Sequence, residues 1–229
     1  MNLPFAPWLA VFETLRVDQG RARHVEEHWL SFEKASKAVG LSITEDLRPL
    51  AADLPVQTGR WRWIVNREGT TQFFQPEQTD LVPLYTLSLA DQRLGSANWD
   101  ALYKTLSYLT HWQARREVRT DEALLLNERG EVACGAMSNI FWVTAGKVKT
   151  PKHSCGCREG VVRGWAMKQL RVFQGVYFPE ELDAADEIFI TNSWIGVTPV
   201  VQWNQRKLEI GPVTKELKEK FGTEMALAR

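Results

Sequence analysis

Lys104 sits in the run Leu102-Tyr103-Lys104-Thr105-Leu106-Ser107-Tyr108-Leu109, among apolar and hydroxyl side chains. Taking an ammonium out of water lowers its pKa and frees the amine as nucleophile or base. That is the chemistry of a Schiff-base lysine. On this run alone, a lysine that extends from a half-buried element to water is the commoner arrangement. Further along, Gly160-Val161-Val162 reads as a helix entrance, with backbone N–H groups and a dipole that suit an anion. Asn192-Ser193 follows an apolar strand and offers an amide, a hydroxyl and N–H groups. Taken singly, these two segments read better as a helix start and a turn with no ligand.

Other reactive side chains carry less. Glu13 and Arg16 share a strand and could face a substrate carboxylate, or be exposed paired charges. Tyr108 either faces a ligand or packs. His24, His28 and His111 read as surface or capping residues. His153-Ser154-Cys155-Gly156-Cys157 looks like part of a metal site, but zinc wants four ligands and no second cluster accompanies it. A loop of small residues at an active site suits that run better, and no metal is expected. Cys134 has no base beside it in sequence to activate the thiol.

The elements that position these groups follow from periodicity. Trp8 to Val17 is rich in strand formers, Asp18-Gln19-Gly20 signals a turn, and Arg21-Ala22-Arg23 starts a return. Val25, Trp29, Phe32, Ala35 and Val39 fall at helical spacing. Thr44 to Leu54 reads as a second helix with Thr44 as its cap, against which Pro49 counts. Arg60 to Asn66 and Thr71 to Phe74 form a hairpin across Arg67-Glu68-Gly69. Gln75 to Asp80 is the linker, so residues 1–80 make a small α+β domain and residues 84–229 a larger one. Leu84 to Leu89 opens the larger domain, and Leu102 to Arg115 reads as a helix. Ala123–Leu126, Glu131–Cys134, Asn139–Thr144, Lys147–Lys149, Glu187–Thr191 and Val200–Trp203 are strands. Val161 to Val172 and Val213 to Phe221 are helices.

Composition sets limits. The 229 residues are 44% hydrophobic and 24% charged, as in ordinary globular chains. Lys+Arg and Asp+Glu both number 28, so no broad basic surface is implied and nucleic acid is not expected as a partner. Ten Trp suit large buried contacts or an interface. Three Cys argue against a disulfide framework. Met1 to Pro7 has no basic region or apolar core of a signal peptide, and no apolar run approaches the ~20 residues of a membrane helix. A cytoplasmic location without membrane contact is expected.

In order and spacing, a set of segments resembles the class IV (fold type IV) pyridoxal-phosphate enzymes. They are Phe12-Glu13-Thr14-Leu15-Arg16, Glu27-His28, the Lys104 run, Asp121 to Asn127, Gly130 to Phe141, Thr150-Pro151, Gly160 to Arg163 and Thr191 to Val200. That family holds branched-chain and D-amino-acid aminotransferases and 4-amino-4-deoxychorismate lyase. The resemblance implies an α/β (α+β) two-domain, D-amino-acid aminotransferase-like fold with pyridoxal 5'-phosphate in the interdomain cleft. It also implies a small-molecule substrate and a homodimer. It makes Lys104 the cofactor lysine, and Gly160, Val161, Val162, Asn192 and Ser193 the phosphate-binding segments.

Two positions depart from the family pattern. Family members usually carry an acid where Cys134 stands, pairing with the pyridine nitrogen. A neutral thiol is a weaker partner. An arginine three residues after the helix histidine commonly binds the phosphate; here that residue is Ser31, and Arg163 is a poor stand-in. The weaker sink should harm a lyase less than an aminotransferase, because the lyase substrate becomes aromatic as pyruvate leaves. The implied activity is therefore lyase-like, forming 4-aminobenzoate for folate synthesis. An aminotransferase and a degenerate, non-catalytic homologue are the alternatives.

Overall fold

A computed structural model describes residues 9–77 and 84–227. The chain divides into two compact units, residues 9–77 with 103–108 and residues 84–102 with 109–227. The expected linker residues Gln78 to Asp80, and the amino-terminal segment Met1 to Pro7, lie outside the described residues.

The first unit is a four-stranded antiparallel sheet with one helix on it. Strands β1 (Val11–Asp18), β2 (Arg21–Ala22), β3 (Gly59–Asn66) and β4 (Gly69–Pro76) lie in the order β2-β1-β3-β4. Alternation aims Val11, Leu15, Val17, Trp61, Trp63 and Val65 to one face. Helix α1 (Val25–Ala38) covers that face with Trp29, Phe32 and Ala35. The indole of Trp63 meets Trp61 edge-on at 4.9 Å and Trp29 at 5.7 Å, so aromatic packing forms the centre of this core.

The second unit is a nine-stranded mixed sheet. Its strands are β5 (Tyr85–Leu94), β6 (Glu122–Asn127), β7 (Val132–Gly135), β8 (Asn139–Thr144), β9 (Lys147–Pro151), β10 (Val172–Gly175), β11 (Glu187–Asn192), β12 (Gly196–Trp203) and β13 (Arg206–Lys207). The main path runs β10-β9-β8-β11-β12-β5-β6-β7, with β13 on β12. β6, β7, β8 and β11 are buried along almost their whole length, which is why they read as continuous apolar runs. Helices α2 (Trp99–Leu102), α3 (Leu109–Glu117), α4 (Val161–Gln169), α5 (Glu180–Asp183) and α6 (Pro212–Leu227) complete it. No helix among the described residues is long and apolar enough to cross a membrane.

Three expected elements differ. Thr44 to Leu54 is not an α-helix: only Arg48–Asp53 is helical, as a 3₁₀ segment with Pro49 in its first turn. Thr44 is no cap; its hydroxyl accepts the Thr70 N–H at 3.0 Å and so joins the β3–β4 hairpin. Leu102 to Arg115 is not one helix. Residues 103–108 leave the helical path to pair with β1, where Phe12 N–H donates to Lys104 C=O at 2.8 Å and Leu106 N–H to Ala10 C=O at 3.0 Å. Strand pairing thus overrides local helical preference. Last, α4 ends at Gln169, and Val172 opens β10 against Val148 of β9.

Replacing Trp63 by alanine should destabilise the first unit by about 3–5 kcal/mol, the range for emptying a buried aromatic site. Trp63→Phe should cost about 1 kcal/mol, since it keeps most of the ring volume and deletes an indole N–H that has no acceptor among the described residues. Urea unfolding midpoints of the two variants provide the measurement.

Candidate active site

In the first unit, a buried carboxylate organises the charged groups. Glu13 lies on the inward face of β1 with Val11 and Leu15, and is 4% exposed. His28 and Ser31, one turn apart on α1, reach it from above. His28 Nδ1 lies 2.9 Å from Glu13 Oε2, and the Ser31 hydroxyl donates to Oε1 at 2.8 Å. Lys104 Nζ stands 3.7 Å from Oε2 and 5.3 Å from the centre of the Phe12 ring. Burial by itself would push the Glu13 carboxyl up. Lys104, His28 and Ser31 outweigh it and bring the pKa from 4.5 down to about 2. Glu13 is therefore an anion at neutral pH, beside the amine expected to do the chemistry.

These contacts correct several expectations. Glu13 does not face a substrate carboxylate, because its oxygens are turned inward to His28, Ser31 and Lys104. Arg16 is tied to Asp18, with Nε at 2.9 Å from Oδ2. His28 is 1% exposed and belongs to this cluster rather than to the surface. Its location was readable: His28 and Ser31 share a helix stripe with Phe32 and Ala35, and Glu13 alternates with buried apolar residues. His24 does precede α1, but its side chain makes no cap hydrogen bond. Tyr108 packs edge-on against Phe12, with centroids 6.0 Å apart.

In the second unit, the structure gathers the other expected residues at strand ends and turns. Gly160 precedes α4 without a side-chain cap, so the first-turn N–H groups of Val161 and Val162 are not claimed by a capping side chain. A Cβ on Gly160 would stand 2.2 Å from Asn139 Oδ1, so the bare backbone is required for this approach. Asn192 closes β11 with its side chain committed on both sides. Its Nδ2 donates to Met137 C=O at 3.0 Å, and its Oδ1 accepts the N–H groups of Trp194 and Ile195 at 2.9 and 2.8 Å. Ser193 lies half-buried within the turn that Asn192 holds.

Cys134 is buried at the end of β7. Burial raises its thiol pKa far above the usual range, and the nearby Cys157 adds to this, so the group is neutral at physiological pH. Cys157 is likewise buried, with the Asn139 amide 3.5 Å from its sulfur. Arg163 is turned into the protein: its guanidinium donates to Pro151 C=O at 3.0 Å and to Gln174 Oε1 at 3.1 Å. His111, expected at the surface, is 2% exposed; burial and then the charge of Arg158 lower its pKa to about 3. No cluster of three or more metal-ligating side chains occurs among the described residues.

The amino-transferase class IV family model matches residues 10–203, most of the chain. The chain belongs to the class IV aminotransferase family. A probable branched-chain-amino-acid aminotransferase of Aquifex aeolicus is 42% identical over 43% of this chain and 35% of its own length. The aminodeoxychorismate lyase of Bacillus subtilis is 35% identical over 42% of this chain and 36% of its own length. The chain thus spans little more than a third of either relative in these matches. Among solved structures, a putative branched-chain amino acid aminotransferase from Thermotoga maritima superposes with a TM-score of 0.84. That match is 27% identical and covers 97% of this chain and 90% of the other.

Within this class IV chain, the Glu13 anion has a consequence for folding that acid titration can read. Its folded pKa lies below its unfolded value, so its contribution to stability is present above about pH 4.5 and is lost as pH falls towards about 2. Glu13→Gln should therefore be less stable than the parent at pH 7. The gap between their urea midpoints should close across that acid window.

Proposed function

We propose that this chain is a pyridoxal-phosphate lyase that converts 4-amino-4-deoxychorismate to 4-aminobenzoate and pyruvate. Class IV enzymes are pyridoxal-phosphate dependent, and the residues present suit that group in two respects. An amine lies beside a fixed anion, and α4 begins with N–H groups that no side chain caps. Lys104 would hold the cofactor aldehyde through Nζ. Val161 and Val162 N–H groups, with the Ser193 hydroxyl, would hold its phosphate, and Cys134 would lie against its pyridine nitrogen. When bound, the cofactor supplies a ring that withdraws electrons from the substrate's amine-bearing carbon.

The observation that carries the lyase assignment is the neutral Cys134 thiol. A thiol that stays protonated cannot fix a positive charge on the pyridine nitrogen, so the ring withdraws electrons less strongly. The lyase reaction tolerates this. Loss of one ring proton and cleavage of the enolpyruvyl C–O bond leave an aromatic ring, and aromaticity drives the step. Lys104 takes the proton at Nζ, and one proton returns to the enolpyruvyl group as it leaves as pyruvate. The Glu13 anion stabilises the ammonium form of Lys104 between these transfers.

A second reading, an amino-acid aminotransferase, is favoured by the 42% identity to the Aquifex aeolicus protein. A cofactor-free binding protein on the same scaffold is the third. The spectrum of the purified protein with added pyridoxal phosphate separates an enzyme from a scaffold. A visible band should form with the parent chain and be absent in Lys104→Ala. Aminobenzoate release from aminodeoxychorismate should then exceed transamination of amino acids with keto acids. Cys134→Glu should narrow this preference by about tenfold or more, the worth of one charge-assisted hydrogen bond. Brisk transamination with no release of aminobenzoate by the parent would refute the lyase assignment.

A further inference from the structure

One buried carboxyl group has no part in the reaction proposed above. Glu122, at the start of β6, is 2% exposed, and burial raises its pKa even though several donors oppose the shift. Its oxygens are fully engaged. Oε1 accepts the Ala123 N–H at 2.9 Å, while Oε2 accepts the Ser138 hydroxyl at 2.8 Å and the Met137 N–H at 3.1 Å. The Gly135–Ser138 turn between β7 and β8 is wrapped on this carboxyl group, and Gly135 N–H donates to Ser138 C=O at 2.8 Å. A Cβ on Gly135 would stand 2.3 Å from the Ser138 hydroxyl and 3.1 Å from Glu122 Oε2. Only a glycine lets the turn come this close.

Met137 is held on both sides of its Cα. Its N–H goes to Glu122, and its C=O accepts from the Asn192 side chain at 3.0 Å. Asn192 in turn accepts from Trp194 and Ile195 and so shapes the turn between β11 and β12. A chain of contacts therefore runs from a buried carboxyl on β6, through the two peptide groups that flank the Met137 Cα, to the turn that carries Ser193. Each link is of ordinary length. Asn192 has both ends of its amide committed within the protein, so its part is to set the turn and leave the Ser193 hydroxyl and backbone to meet a ligand.

We propose that Glu122 is a positioning residue that fixes the Asn192–Ile195 turn through the Met137 backbone. The consequence for cofactor affinity rests on the reading of that turn as part of the phosphate site; the effect on the turn does not. The test uses the full chain with Glu122→Gln, which preserves size and removes one acceptor. Amide exchange by NMR reads the turn directly. Exchange at Trp194 and Ile195 should quicken by about tenfold, the worth of one net hydrogen bond, while Ile188 and Val200 in the adjoining strands keep parental rates. Glu122→Asp keeps the carboxyl group and shortens its reach. It should give a smaller change at the same two amides, and serves if the glutamine variant does not fold. Ser138→Ala leaves the Met137 link in place and should change either amide by less than about twofold.

Unaltered exchange at Trp194 and Ile195 in both Glu122 variants would overturn the inference. So would a quickening spread equally over Ile188 and Val200, or a Ser138→Ala effect as large as that of Glu122→Gln. Titration with pyridoxal phosphate, followed by fluorescence, then tests the underlying reading separately. Affinity should fall about tenfold in Glu122→Gln. A loosened turn with unchanged affinity would uphold the role of Glu122 and remove the turn from the phosphate site.

Discussion

The negative charge at Glu13 is the constraint on which the first unit turns. An ionised carboxylate taken out of water costs several kcal/mol unless charges and donors surround it. Here the sheet supplies the carboxylate, helix α1 supplies His28 and Ser31, and the 103–108 segment supplies Lys104. Three elements distant in sequence must meet for any of them to be satisfied. That requirement explains why the lysine segment follows β1 instead of continuing a helix. Two backbone hydrogen bonds to β1 hold it in register, and the Phe12 ring contacts the ammonium from the same strand.

The second unit solves a related problem differently. Its sheet is so thoroughly buried that polar side chains inside it must find partners in neighbouring turns. Glu122, Asn139 and Asn192 each leave a strand end and take up backbone or side-chain groups of a loop. The loops are therefore set by groups rooted in the rigid sheet. A ligand-binding turn held in this manner loses little conformational freedom when it binds. Cys157 differs: it is buried, burial raises its thiol pKa, and it serves the interior as a small apolar group.

Most of the architecture was legible because it is periodic. Helix α1, the β3–β4 hairpin and the buried strands of the second unit announce themselves through spacing of 3.6, spacing of 2, or unbroken apolar runs. The failures occurred where a partner far along the chain decides the conformation. Nothing in residues 103–108 indicates pairing with Val11, and nothing near Thr44 indicates that its hydroxyl meets Thr70. Among the candidate site residues, Lys104 and Gly160 are singled out by the ordered resemblance to the family and not by their own runs, whereas the meeting of Glu13 with His28 was not foreseen. A histidine on an apolar helix stripe and a glutamate alternating with valine and leucine were each ordinary alone. Only their meeting across the core makes them informative.

The two departures from the family pattern act in the same direction under the proposed reading. With serine at position 31, Lys104, His28 and the Ser31 hydroxyl together steady the Glu13 carboxylate. Glu13 thus stays ionised, and a fixed anion beside an amine stabilises the proton that the amine picks up. Burial keeps the Cys134 thiol neutral, and under the proposed placement the cofactor ring would draw fewer electrons. On that reading, the first sets an anion beside the amine and the second weakens the sink. A reaction that must store charge on the ring through a reversible cycle suffers from the second change and gains little from the first. A reaction whose product ring becomes aromatic needs chiefly a base to carry the proton, and the substrate's own aromatisation supplies the driving force. Under the proposed reading, the pair of substitutions is therefore better matched to one-way elimination than to amino-group exchange.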